Sequence, residues 1–180
     1  MTAFQDPAAP AEAGRAQLQH LTPRDRELLR QMGVYIGYSM IFLRRLLKPD
    51  AVRARLALCT AYYDLRALPP ESPTNAVSFK AARTVTPAIY LAIGYALLGA
   101  RAVRADVAER LDRRLHELSQ NGPFALTPEI GGWIGCGAKE LPLIIQALGY
   151  DRGKDGLYQK RSERLEPETE GSSVSSQEYS

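Results

Sequence analysis

The sequence predicts a mainly α fold, a helical accessory domain that closes with a winged-helix-like helix-turn-helix and a short β-hairpin. Two observations carry this. Apolar residues recur at helical spacing through most of the chain, with capping signals at Thr22 and Thr127. From Phe124 to Arg161 the order is two short helices, a tight turn and a Gly-rich hairpin, which is the outline of a winged helix.

The first helical region runs from about Pro23 to Lys48. Thr22 is a good N-cap, Pro23 follows it, and Asp25 occupies the capping-box position. Leu28, Leu29, Met32, Ile36, Met40 and Leu43 keep a helical period. Gly33 and Gly37 interrupt it, so Gly33 to Gly37 reads as a short irregular or extended piece between two helices. Asp50 caps the next helix, through about Tyr63, after the Pro49 break. From Leu68 to Thr86 the Pro-rich chain shows no helical period and reads as a loop. Pro87 to Leu98 is read as a third helix broken by Gly99. Val103, Val107, Leu111, Leu115 and Leu118 line one face of a fourth, with i,i+4 pairs such as Glu109 with Arg113 on its charged face.

In the terminal stretch, Thr127, Pro128 and Glu129 start a helix, and Ile130, Trp133 and Ile134 share one face of it. Gly135-Cys136-Gly137 turns the chain. The second helix, from Ala138, carries Leu141, Ile144, Ile145 and Leu148 and stops at Gly149. Asp151 to Gly156 is a turn cluster, and Leu157 to Arg161 alternates as a return strand, the wing. A DNA-reading helix offers several polar side chains at its exposed start, and here Lys139 and Gln146 are the only ones. The wing on phosphates and the module packed on its own chain are both open readings.

The 180-residue chain is long enough for an ordinary core, as one domain or two small ones. The expected organisation is a disordered segment at 1–20, a helical domain at 21–120 with a Pro-rich loop at 68–79, a winged-helix-like subdomain at 121–161, and an acidic, Ser-rich disordered tail at 162–180. The net charge of +3 is segregated: residues 1–20 carry −1 and residues 162–180 carry −4, which leaves +8 on the body between them. Such charge blocks at termini repay little ordering. No apolar run reaches bilayer length and no signal-peptide core is visible, so a cytoplasmic protein without membrane contact is expected. Cys59 and Cys136 lack the spacing of a zinc or redox site, and no metal or cofactor is expected.

Catalytic signals are thin. His20 and His116 have no evident partner, and the string Gly94-x-x-x-x-Gly99-Ala100-Arg101 lacks the Lys and Ser/Thr of a P-loop. The basic residues carry the functional reading. Arg44, Arg45, Lys48 and Arg53 cluster around Pro49, Arg101 and Arg104 precede or open the fourth helix, and Lys139, Lys154, Lys160 and Arg161 belong to the terminal module. A basic cluster at a helix junction holds phosphates or is simply a solvated face.

The segments Gly33-Val34-Tyr35-Ile36-Gly37, Ile41-Phe42-Leu43, Leu46-Leu47-Lys48-Pro49, Ile89-Tyr90, Gly94-Tyr95, Leu98-Gly99, Arg101 to Asp106 and Glu109-Arg110-Leu111 resemble the C-terminal region of the Suv-type helicases. These are alphaproteobacterial superfamily 2 relatives of the mitochondrial degradosome RNA helicase. Phe124 to Glu129, Gly135-Cys136 and Leu148-Gly149-Tyr150 extend the similarity, which spans roughly residues 25–150. Arg44 departs from it, since the pattern has proline there. The resemblance implies an accessory domain that packs on two ATPase lobes and helps surround RNA. ATP hydrolysis is not implied, because the ATPase motifs are missing. The expected function is therefore non-enzymatic: binding RNA or single-stranded DNA, docking on a helicase core, or both. The alternatives are a winged-helix transcriptional regulator on duplex DNA and a purely structural interaction module.

Overall fold

A computed structural model describes residues 20–63, 75–82 and 85–161. The segment at 1–19, the tail at 162–180 and residues 68–74 of the Pro-rich loop lie outside the described residues. The architecture is mixed α/β, with three antiparallel sheets among the described residues, which corrects the expectation of a mainly or all-α chain.

Helix α1 (Pro23–Gln31) starts where the sequence places it. The Thr22 side chain accepts from the Asp25 N–H at 3.2 Å, and the Asp25 carboxylate accepts from the Thr22 N–H at 3.0 Å, a complete capping box. The chain then forms a hairpin, β1 (Val34–Ile36) and β2 (Ile41–Leu43), with Tyr35 opposite Phe42. The extended piece expected at 33–37 is thus β1. Met40 and Leu43 belong to the hairpin rather than to a helical face, because strand pairing overrode a loose helical period. A single 3₁₀ turn (Arg44–Leu47) leads into α2 (Pro49–Tyr63).

The middle of the chain departs most from expectation. Strand β3 (Ser78–Lys80) lies in the region read as loop, α3 ends at Ala92 (Pro87–Ala92), and β4 (Tyr95–Leu98) and β5 (Arg101–Arg104) form a hairpin around Gly99-Ala100. Gly99, at φ +62°, makes the tight turn instead of ending a helix. The sheet order is β3-β5-β4. Its two faces feed two cores, as strand alternation requires. Tyr95 and Ala102 face Val52, Phe79, Ile89, Tyr90 and Ile93. Ala96, Leu98 and Val103 face the other core. A strand apolar on both faces has no period, so Tyr95 to Leu98 merges in sequence with the helix before it.

Helix α4 (Ala105–Ser119) follows β5 directly, and α5 (Pro128–Ile134), α6 (Leu141–Ala147), β6 (Tyr150–Arg152) and β7 (Tyr158–Lys160) complete the chain. Phe124 and Tyr158 exchange backbone hydrogen bonds of 2.9 and 2.7 Å, an isolated antiparallel bridge on the edge of β7 away from β6. Leu111 and Leu115 of α4 share one core with Ile130, Ile134, Ile144, Ile145, Tyr150 and Tyr158. By its packing, α4 belongs with the terminal helices and hairpin and is also the bridge to the hairpin β1-β2.

Candidate nucleic-acid interface

The site is built on one buried carboxylate. Glu109 is only 2% exposed, and its two oxygens accept the backbone N–H groups of Tyr38 (2.6 Å), Ser39 (3.0 Å) and Met40 (3.1 Å), with the Ser39 hydroxyl at 3.3 Å. A turn with three converging N–H groups is a natural anion cradle. Here the chain's own α4 fills it. Gly37 makes this approach possible, because a Cβ at that position would overlap the carboxylate carbon and both oxygens. The Glu109 to Arg113 pair expected on the helix surface gives way to this latch, which pins the β1-β2 hairpin on α4.

Pinned there, the hairpin and α4 enclose a cleft of about 460 Å³. From the hairpin side come Tyr35 and Phe42, stacked at 4.9 Å with 26° between their planes, and the Arg44 guanidinium 4.9 Å above the Tyr35 ring. Lys48 stands at the end of the 3₁₀ turn. The opposite wall carries Arg104, Arg110 and Arg113. Five cations therefore line the cleft against two carboxylates, Asp106 and Glu109. Glu109 is already committed to backbone N–H groups. Asp106 holds Arg104 in a two-bond pair of 2.7 and 3.0 Å, which fixes the guanidinium and raises its pKa above the usual arginine value. Arg110 lies 4.0 Å over the Trp133 ring, so α5 orients it without neutralising it.

Of the ten basic residues picked from sequence, Arg44, Lys48 and Arg104 meet in this cleft. Arg45 is exposed on the same 3₁₀ turn, and Arg53 pairs with Asp50 in the first turn of α2. Arg101 is elsewhere and structurally engaged: its side chain, 14% exposed, bonds the Glu140 carboxylate at 3.1 Å and the Ser78 hydroxyl at 2.9 Å. Lys139 is exposed in the turn between α5 and α6, and Lys154 in the turn of the terminal hairpin. Arg161 grips Asp151 through two bonds, and Lys160 donates to the Tyr38 hydroxyl at 3.3 Å. The sequence reading missed Tyr35 and Phe42, and it treated Arg110 and Arg113 as part of a mostly structural charged face. Recognising Val34 to Leu43 as a hairpin would have placed the two aromatic rings side by side.

Helix α6, read from sequence as a possible recognition helix, offers little to a base edge. Leu143, Gln146 and Ala147 are its exposed residues, and Gly99 of the β4-β5 turn sits against Leu143. Compared with protein-family models, curated proteins and solved structures, the chain matches none. Among the described residues, no helix is long and apolar enough to cross a membrane, and no group of three or more His, Cys, Asp or Glu side chains is placed to hold a metal ion.

Proposed function

We propose that this protein is a non-catalytic accessory module that binds single-stranded RNA or DNA in the cleft between the β1-β2 hairpin and α4. One observation carries the reading: a cross-strand aromatic pair lies in the same cleft as Arg44, Lys48, Arg104, Arg110 and Arg113. Stacking platforms beside a cationic track suit a single strand, whose bases are free to stack while its phosphates pair with the cations. Duplex reading through α6 has no such support, because its exposed face lacks cations.

Fluorescence polarisation with a short labelled single strand, across a salt series, tests this. The wild type binds the single strand more tightly than the matching duplex. Arg110→Glu with Arg113→Glu weakens binding at least about tenfold and flattens the salt dependence by about 0.7 in log–log slope per lost phosphate contact. Absent binding at low salt, or an unaffected double variant, overturns the reading.

A second role, docking on a helicase core, is favoured by α1. That helix has no buried residue, and it leaves Leu28 and, at its C-cap, Met32 at solvent. Co-purification with such a core, lost in Leu28→Glu with Met32→Glu, tests it.

A further inference from the structure

Tyr38 projects from the turn that Glu109 holds, and it is 44% exposed although three separate contacts fix it. Its backbone N–H is bound by Glu109 at 2.6 Å, its hydroxyl accepts from the Lys160 ammonium at 3.3 Å, and its ring lies on the His116 imidazole at 4.3 Å with 20° between planes. The Gln120 amide nitrogen, at the C-cap of α4, sits 3.3 and 3.4 Å from the two imidazole nitrogens. An exposed aromatic ring normally samples several rotamers, and ordering it on binding costs affinity. Here that ordering is already done.

The position of this stack relative to the cleft gives it a use. His116 follows Arg113 by three residues, about 4.5 Å along α4, and the two are neighbours on the helix surface. Tyr38 lies on the same hairpin as Tyr35 and Phe42. A strand leaving the cleft past Arg113 therefore meets the Tyr38 ring next, with Lys160 of β7 at its edge for the following phosphate. From this, and resting on the cleft reading above, we infer that Tyr38, stacked on His116 and flanked by Lys160, is a second base-stacking step. It extends the single-strand track from the cleft to the wing. The ligand class is a single-stranded nucleic acid several nucleotides long, read by stacking and backbone charge without base selectivity.

The test uses the full chain and oligonucleotides carrying one 2-aminopurine at successive positions, whose fluorescence is quenched by stacking. Wild type and Tyr38→Phe quench the probe at one position beyond those that respond to the cleft. Tyr38→Ala remains folded by circular dichroism, removes that quench and weakens binding by about tenfold. Lys160→Glu weakens binding and lowers the salt slope. If Tyr38→Ala binds like wild type with the same quench at every position, the second step is refuted. The cleft itself then still stands when Arg110→Glu with Arg113→Glu lose binding. No binding by the wild type at low salt overturns both.

Discussion

Removing the Glu109 carboxylate should undock the β1-β2 hairpin from α4. Four hydrogen bonds end on Glu109, three of them from backbone N–H groups. Bonds to a charged acceptor contribute about 1.5–3 kcal/mol each. Their sum overstates the loss, because once the carboxylate is gone the turn lifts and its N–H groups reach water. The strands of this hairpin carry no fully buried side chain, so beyond the latch it is Met40 against the core and the Tyr38 ring on His116 that resist lifting. The cost therefore stops near the docking energy of the hairpin, about 3 kcal/mol for Glu109→Ala. Glu109→Gln keeps one acceptor oxygen and turns an NH₂ group toward backbone donors, for about half that loss. Urea unfolding followed by circular dichroism measures both, and Tm should fall by about 6–12 °C in the alanine variant. Hydrogen exchange should show the amides of Tyr38, Ser39 and Met40 losing protection while the core strands keep theirs. Gly37→Ala supplies the cross-check. In the wild-type background its Cβ collides with the carboxylate and destabilises, whereas beside Glu109→Ala the collision partner is absent and the substitution costs little. A double-mutant cycle should therefore give a coupling of about 1–3 kcal/mol. Additive effects, or a Glu109→Ala variant within about 0.5 kcal/mol of wild type with protected turn amides, would refute the latch.

Three further outcomes follow from the same geometry. Arg101→Ala should lower stability by about 2 kcal/mol in urea titrations, because it strands the part-buried Glu140 carboxylate, yet leave nucleic-acid affinity unchanged. Tyr150 is buried, and its phenol is pushed up to about 12, chiefly by burial and further by the Asp112 carboxylate. Its folded pKa lies above the unfolded value, so the stabilisation is complete below pH about 10 and is lost as pH rises through about 12. Alkaline unfolding curves and the 295 nm tyrosinate absorbance should show this, and Tyr150→Phe should remove it. The Arg161 guanidinium holds the Asp151 carboxyl below the usual aspartate pKa. That pair therefore helps above the ordinary aspartate range and fades as pH falls through the lowered pKa; carbon-detected NMR titration of Asp151 should return to the ordinary value in Arg161→Ala.

The elements with strong local chemistry were legible in the sequence. The Thr22 capping box marks α1, and Pro128, Gly135 and Gly149 bracket the two short helices before the terminal hairpin. The central sheet was not legible, for a physical reason. Strand β5 is only Arg-Ala-Val-Arg, and its pairing partner β3 lies more than twenty residues upstream. Its stability comes from Phe79, Tyr90 and Tyr95 packing together, with the Tyr95 hydroxyl donating to the Ala76 carbonyl and the Tyr90 hydroxyl accepting from the Ala82 N–H. Those tertiary contacts have no local signature, and they outweigh the helical bias of the apolar run that begins at Pro87.

The candidate site was half legible, and α4 shows why. Large apolar residues in this helix suggest a buried stripe through Val107, Leu111, Leu115 and Leu118, which leaves Glu109 and Arg113 together outside. The buried stripe is in fact rotated, running through Ala105, Ala108, Leu111, Asp112 and Leu115. Two small alanines carry the rotation, and small residues add little to an apolar pattern read by size. Once the face turns toward Ala108, Glu109 comes inside, where a carboxylate needs donors. In this basic chain the donors are backbone N–H groups rather than an arginine side chain, so Glu109 neutralises none of the cleft cations. An acidic residue flanking alanines on an amphipathic helix, matched with a distant Gly-x-Ser turn, is therefore the sequence signal that was present for this site. Its consequence is structural, because the same carboxylate that docks the hairpin sets Tyr35 and Phe42 in one cleft with Arg110 and Arg113.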